Sequence, residues 1–145
     1  MGMNQSMELE NYTGKINSHV DYLKIIKLLE MKSEYIEYVL VDADDAKIID
    51  YFQDFIVSVQ SRKEWWGTKS SQCRKVYKIK TSKELFRYLR GFETFCRYET
   101  SNGGDFADET DFGINDIAFF DENELPLLFT TTHEGYIMIR NDLFS

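Results

Sequence analysis

The stretch that decides the fold is Ile114-Asn-Asp-Ile-Ala-Phe-Phe-Asp-Glu-Asn-Glu-Leu-Pro-Leu-Leu-Phe-Thr-Thr-Thr-His-Glu-Gly-Tyr-Ile-Met-Ile-Arg140. It contains three short runs of apolar, β-branched and aromatic residues, separated by polar residues that are typical of turns. These runs predict strands at 114–120, 126–131 and 136–140. Pro126 is acceptable as the first residue of a strand, where its missing N–H costs little. Consecutive strands joined by short turns indicate antiparallel pairing.

Upstream of these strands, apolar residues at helical spacing predict three helices. The first spans 18–31 and begins at Ser18, whose hydroxyl can accept a free backbone N–H. The second spans 45–61, because Ile48, Ile49, Phe52, Phe55, Ile56 and Val59 form one wide apolar stripe. The third spans 82–94 and follows Thr81, which has Glu84 three residues later as in a capping box.

Strands are predicted between and after the helices, at 35–41, 74–80 and 95–100, with loops at 63–71 and 101–113. The element order is therefore αβαβα followed by β-hairpins. This order indicates one α+β domain over 18–145, with about three helices packed on a mainly antiparallel sheet. Residues 1–17 are expected to form a flexible N-terminal tail.

The composition favours a cytoplasmic protein with one well-filled core. The chain has 145 residues, 43% of them hydrophobic, and no apolar run approaches the roughly 20 residues needed to cross a bilayer. The N-terminus has neither the basic start nor the apolar segment of a secretory signal. Cys73 and Cys96 are too few for a disulfide framework, although a bridge between them stays open.

Positive charge is concentrated in residues 62–90, which hold ten Lys and Arg and two acids in a chain of net charge −8. The second hypothesis is therefore a module that binds a nucleic acid or a phosphate ligand. Its basic residues would bind the phosphates, while its tryptophans would stack on bases. The acidity of the rest of the chain opposes this second hypothesis, because long-range repulsion would slow the approach of a polyanion. The candidate anion-binding residues are Arg62, Lys63, Trp65, Trp66, Arg74, Lys75, Lys78, Lys80, Arg87 and Arg90.

Negative charge is concentrated toward the other end, where residues 91–145 hold twelve acids and two bases. Acids in exposed loops can imitate a phosphate backbone and bind a basic protein partner. The spacing from Asp105 does not match a calcium-binding EF-hand loop, and we predict neither a metal site nor a cofactor. The candidate partner-binding acids are Asp105, Asp108, Glu109, Asp111, Asp121, Glu122 and Glu124.

The sequence carries no catalytic signature, and we predict that the protein is not an enzyme. His133 and Glu134 lie beside three threonines in a predicted turn, which suggests a nucleophile with its base. Adjacent residues in a tight turn usually point in different directions, however, and there is no strand-to-helix nucleophile motif. An enzyme using this pair is therefore the third hypothesis.

Two segments, 116–121 (Asp-Ile-Ala-Phe-Phe-Asp) and 127–136 (Leu-Leu-Phe-Thr-Thr-Thr-His-Glu-Gly-Tyr), resemble the terminal hairpins of small acidic immunity proteins. Those bacterial proteins accompany polymorphic or contact-dependent toxins. The resemblance implies a protein that neutralises a toxin domain by direct binding, and it carries over no site residue. The leading hypothesis is thus a non-enzymatic inhibitor whose acidic C-terminal half covers a basic toxin domain, such as a nuclease. Dimerisation through the terminal hairpins is a further alternative.

Overall fold

The structure is a computed structural model that describes residues 8–12, 15–16, 18–41, 47–66, 68–95, 97–99, 106–108, 115–132 and 136–144. The described residues form an α+β fold of three α-helices and a seven-stranded antiparallel sheet. The helices are α1 (His19–Lys32), α2 (Lys47–Tyr51) and α3 (Lys83–Leu89). The strands are β1 (Leu9–Asn11), β2 (Tyr35–Leu40), β3 (Ile56–Trp65), β4 (Thr68–Lys80), β5 (Arg97–Glu99), β6 (Phe106–Asp108), β7 (Asp116–Phe120), β8 (Pro126–Thr131) and β9 (Tyr136–Arg140).

The main sheet has the strand order β1-β9-β8-β7-β2-β4-β3, and β5 and β6 form a separate antiparallel pair. The three C-terminal strands β7, β8 and β9 lie side by side, as their sequence predicts. Strand β2 joins them to the β3–β4 hairpin by pairing with both β7 and β4. Single 3₁₀ turns at Gln53–Phe55 and Asn141–Phe144 precede β3 and follow β9.

Helices α1 and α3 cover one face of the sheet and enclose the main core. Ile36 of β2 and Phe119 of β7 are fully buried on this face, and Tyr22 of α1 packs among them. The ring of Phe119 contacts Phe86 of α3 and Phe95, with centroid distances of 6.2 and 6.3 Å. Burial of large aromatic rings of this kind supplies much of the hydrophobic stabilisation of a small domain.

The N-terminal capping residue of α1 is the predicted one, whereas that of α3 is not. Ser18 caps α1 by accepting the backbone N–H of Asp21 over 3.1 Å. At α3 the capping residue is Ser82, which accepts the N–H of Leu85 over 3.1 Å. Thr81, the predicted cap, instead donates its hydroxyl to Glu34 O over 2.9 Å. Both hydroxyls therefore form hydrogen bonds, but the residue that caps α3 is one position later than predicted.

The predicted helix over 45–61 is wrong beyond Tyr51, where α2 ends. Ile48 and Ile49 are buried as the apolar stripe requires, whereas Val57 and Val59 are 60% and 50% exposed on β3. The segment Ile56-Val-Ser-Val59 contains three β-branched residues in four, and such residues favour a strand. Pairing with β4 therefore outweighs the helical spacing.

The predicted loop over 63–71 is also wrong, because this segment is the turn end of the β3–β4 hairpin. Trp65 pairs with Thr68 across the turn, and Glu64 pairs with Lys69. The signal was present in the sequence, since glycine, here Gly67, is favoured in two-residue hairpin turns. The strand predicted at 74–80 correspondingly begins earlier, at Thr68.

Two smaller segments also differ from the predicted element order. Leu9–Asn11, inside the predicted flexible tail 1–17, forms β1 and pairs with β9. The predicted strand 95–100 is shorter, as β5, and it pairs with β6 inside the predicted loop 101–113. The α+β class therefore stands, while the order αβαβα followed by hairpins is replaced by one with an additional strand at the start and a long hairpin in the middle.

Candidate partner-binding surfaces

The β3–β4 hairpin curls over the face of the sheet that α1 and α3 leave uncovered. Trp65 donates its indole N–H to Asp116 Oδ2 over 2.8 Å, although β3 and β7 are three strand positions apart in the sheet order. In a flat sheet that separation is roughly 14 Å, so the hydrogen bond requires strong twisting of the hairpin. Val39 and Val76 pack with Trp65 beneath the curled hairpin and form a small second core.

Burial leaves Trp65 unavailable to stack on nucleic-acid bases, whereas Trp66 is only half-buried. Trp65 is 5% exposed, and Trp66 packs against Phe129 with a centroid distance of 6.2 Å. The indole N–H of Trp66 is buried and has no hydrogen-bond partner among the described residues. Both rings therefore attach the hairpin to the sheet; the burial of Trp65 contradicts the base stacking predicted for it, while the role predicted for Trp66 stays a prediction.

Several predicted anion-binding residues form ion pairs within the chain. Arg62 Nη2 lies 3.2 Å from Glu37 Oε2, and Arg90 pairs with Glu30. Lys78 Nζ lies 3.4 Å from Glu124 Oε1. Lys78 also lies over the ring of Tyr35, 4.1 Å from its centroid. Part of the positive charge of residues 62–90 is thus neutralised by acids that β2 and α1 bring next to this segment.

The remaining basic residues leave the hairpin with an excess of positive charge. Lys63, Lys75, Lys80 and Arg87 are exposed, and none of them forms an ion pair with another residue of the described ranges. Arg74 is half-buried and donates to Val41 O over 3.3 Å. From Ile56 to Lys75 the hairpin holds five bases and one acid.

Asp121, one of the predicted partner-binding acids, has a structural role instead. Its Oδ1 atom accepts the backbone N–H groups of Asn123 and Leu125 over 2.8 and 3.0 Å, which closes the turn between β7 and β8. Its Oδ2 atom lies 2.8 Å from Arg140 Nη1. Arg140 is itself buried and binds both carboxylate oxygens of Asp142 at 2.6 and 3.1 Å. A carboxylate held in this way is not free for a partner.

The ionisation of this group follows from its contacts. Burial by itself would raise the pKa of Asp121, but the amide of Leu125, the guanidinium of Arg140 and the amide of Asn123 outweigh it and hold the pKa below its ordinary value. Burial would likewise lower the pKa of Arg140, but the carboxylates of Asp142 and Asp121 raise it. The pair is therefore fully charged at neutral pH.

Of the other predicted acids, Glu122 and Glu124 lie in the β7–β8 turn, and the remaining four are described only in part or not at all. Glu122 is exposed in the turn and pairs with no base among the residues described, whereas Glu124 pairs with Lys78. Asp108 ends β6, but its side chain lies outside the described part. Three predicted acids lie wholly outside the described residues, namely Asp105, Glu109 and Asp111.

Glu122 borders a polar cleft of about 430 Å³, which we call the acidic cleft. Glu34, exposed at the start of β2, lies on the same cleft with Asp121 and Asp142, and the bases lining it are Lys32 and Arg140. The structure therefore brings together acids from β2, the β7–β8 turn and the C-terminal end. The contribution of Glu34 could not be inferred from the acidic C-terminal half of the sequence.

A buried polar network at the start of β7 was not predicted. Thr132 donates its backbone N–H to Asp116 Oδ1 over 2.7 Å and its hydroxyl to Asn115 O over 2.8 Å. Asn115 donates to Tyr38 OH over 3.0 Å and accepts the N–H of Val41 over 2.7 Å. Each bond joins neighbouring strands, and the run of three threonines at the end of β8 was the available signal. A network satisfied in this way fixes packing at this end of the sheet.

In the ranges that the structure covers, no three His, Cys, Asp or Glu residues come close enough to hold a metal ion. His133 and Glu134, the residues of the third hypothesis, lie outside those ranges, as does Cys96, while Cys73 is an exposed free thiol. No helix within the described part is long and apolar enough to span a membrane.

The outer edge of β3 is the longest exposed strand edge in the described sheet. Strand β3 has ten residues and pairs on one side only, with β4, within the described ranges. Five consecutive residues, 57–61, are exposed. An unpaired edge presents backbone N–H and C=O groups that can pair with another chain.

Comparisons of the chain with protein-family models, with curated proteins and with solved structures find no match. The function must therefore be argued from the surfaces themselves.

Proposed function

We propose that the protein is a cytoplasmic, non-enzymatic binding protein and, most concretely, an immunity-type inhibitor that occludes a basic toxin domain. The observation that carries the proposal is the acidic cleft, where the exposed carboxylates of Glu34 and Glu122 have no basic partner within the described residues. Two fixed pairs beneath them, Asp121–Arg140 and Arg140–Asp142, hold the cleft in shape. The acids that support this proposal thus come from three elements of the fold.

The β7–β8 turn would supply both charge and apolar contact to the partner. Leu125 is 40% exposed and follows Glu122 and Glu124 in the same turn. An apolar side chain beside acids is consistent with the general form of a protein interface, which has an apolar centre and a polar rim. The acids would speed the encounter with a basic domain, and the turn would then cover its surface sterically.

The proposal is tested by purifying the tagged full-length protein from its native lysate and identifying proteins that remain bound. We expect one basic partner domain whose activity falls when the protein is added. Glu34→Lys with Glu122→Lys should lower the association rate at least tenfold, because rim charges act mainly on the rate of encounter. Asp50→Lys with Asp54→Lys is the matched control, since both residues are exposed acids on or after α2 and the change in net charge is the same.

Two outcomes of this experiment would contradict the proposal. Recovery of no protein partner would remove the inhibitor function. Equal loss of binding in the two charge-reversed variants would show that only net charge matters and that the acidic cleft is not the contact surface.

A second candidate function is favoured by the charge of the hairpin, which holds five bases against one acid from Ile56 to Lys75. In this alternative the hairpin binds phosphates of a nucleic acid or of a small ligand. Because Trp65 is buried, it would add no base stacking, and binding through phosphate contacts would weaken steeply with salt. Electrophoretic shift at low salt with single-stranded and duplex probes tests it, and the absence of any shift would eliminate it.

A further inference from the structure

We infer that the outer edge of β3 is a docking site for an extended acidic segment of a partner protein, which adds as an eighth strand to the sheet. This inference uses a different surface from the acidic cleft and does not depend on the partner being a toxin. It rests on three features of β3: an open edge, a regular stretch long enough to pair, and the charge beside it.

The regular stretch lies between two irregularities in the pairing with β4. The register shifts between Ile56 and Ser58, where β3 has one additional residue, and again between Arg62 and Glu64, where the additional residues lie on β4. Bulges and charged residues commonly protect sheet edges from unwanted pairing. Here they lie at the ends of the strand, and Ser58–Arg62 between them is in continuous register with β4.

The side chains along this stretch can contribute to recognition. Val59 is 50% exposed and lies opposite the half-buried Tyr77 of β4, so both can contact an apolar side chain of the incoming strand. Ser61 lies opposite the exposed Lys75, and Arg62 lies opposite Arg74. In strand addition, main-chain hydrogen bonds supply affinity and alternate side chains supply specificity. Val59 and Lys75 lie on the same face of the hairpin, so we expect the docked segment to carry an apolar and an acidic residue two positions apart.

The positive charge of the β3–β4 hairpin indicates which kind of chain would dock at this edge. The hairpin from Ile56 to Lys75 holds five bases and one acid, and Lys63 and Lys75 have no acidic partner among the described residues. A second copy docking by its own β3 would bring two hairpins of the same positive sign together, which is unfavourable. An acidic segment would instead supply Lys63 and Lys75 with the acidic partners that they lack among the described residues. The structure thus favours a different protein over self-association.

The test uses the full-length protein and a phage-displayed library of randomised twelve-residue peptides. We expect the enriched peptides to carry apolar and acidic residues two positions apart. Synthetic copies of these peptides should slow hydrogen exchange of backbone amides within Ser58–Arg62, because outward-facing amides become hydrogen-bonded in the new ladder. The affinity should fall at least tenfold in Lys63→Glu with Lys75→Glu and should stay within threefold in the matched variant Lys63→Arg with Lys75→Arg.

Each other result overturns the inference. A failure to enrich any peptide, or protection of amides outside β3, would show that the edge is not a docking site. Equal binding to the two double variants would remove the role of charge. Dimers seen by analytical ultracentrifugation and abolished by Val59→Asp would identify a second copy as the occupant. Because the acidic-cleft variants leave β3 unchanged, failure of this test is separable from failure of the proposed function.

Discussion

Trp65 and Asp116 meet through a hydrogen bond of 2.8 Å that joins the turn end of the β3–β4 hairpin to the start of β7. The two residues are 51 positions apart in the chain and lie on strands that do not pair. Their contact therefore holds the β3–β4 hairpin against the sheet and does not act only within a local turn. Both groups are buried, so the bond is made away from competing water and is costly to lose.

The first prediction concerns this bond. Trp65→Phe keeps most of the apolar volume but removes the indole N–H, which leaves Asp116 without one of its donors. We expect the free energy of unfolding to fall by about 1–3 kcal/mol, because a buried carboxylate loses a hydrogen bond. Trp66→Phe is the matched control, since the N–H of Trp66 has no partner among the described residues. Denaturation in urea measures both, and an equal or larger loss in Trp66→Phe would contradict the structural role of the Trp65–Asp116 bond.

The fold was predictable where local and long-range forces agree. The strands β7, β8 and β9 have apolar runs, turn residues between them and a proline at a strand start, and all three were predicted within two residues of their bounds. The segment 45–61 failed because its apolar spacing fits a helix while its β-branched residues fit a strand. Only the partner strand β4 decides between them, and pairing over that distance is not visible in the spacing of either segment.

The candidate surfaces were less predictable than the fold. The sequence shows that bases cluster at 62–90 but not that Glu37, Glu30 and Glu124 come to lie beside three of them. The sequence also shows an acidic C-terminal half, but it does not show that Asp121 forms a buried ion pair with Arg140. Pairing of charges depends on which strands become neighbours, so a net charge along the chain does not give the charge of a surface.

The second prediction follows from the depressed pKa of Asp121. A carboxyl whose pKa is lower in the folded state contributes stability that is present above its unfolded pKa and lost as the pH falls through the folded value. Asp121→Asn should therefore lower the free energy of unfolding by about 2 kcal/mol at pH 7. It should also flatten the loss of stability below about pH 4, where the unfolded carboxyl titrates. Urea unfolding measured from pH 7 to pH 2 checks this, and parallel curves for the two proteins would refute it.

The third prediction concerns alkaline pH. Burial raises the pKa of Tyr35 to about 12, and the charges of Glu124, Glu37 and Asp121 add to the effect. A raised folded pKa gives stability that is present below the unfolded value of about 10 and is lost as the pH rises toward the folded value. Tyr35→Phe should be less sensitive than the parent protein to a pH increase from 10 to 12 in thermal unfolding. Its ring can still stack on Phe120, so the two proteins should agree closely at pH 7.

The fourth prediction concerns the contact that holds α1 against α3. Tyr22 of α1 is fully buried and donates its hydroxyl to Leu89 O over 2.6 Å. Leu89 is the last residue of α3, and carbonyls in the last turn of a helix have no partner within the helix. Tyr22→Phe should therefore lower the free energy of unfolding by about 1 kcal/mol in urea denaturation, because the carbonyl of Leu89 loses the Tyr22 hydroxyl and keeps the N–H of Phe92 as a donor. Tyr51→Phe, at a side chain that is 65% exposed, should change it by less than about 0.5 kcal/mol. Equal effects of the two substitutions would mean that the Tyr22 hydroxyl does not fasten the helices together.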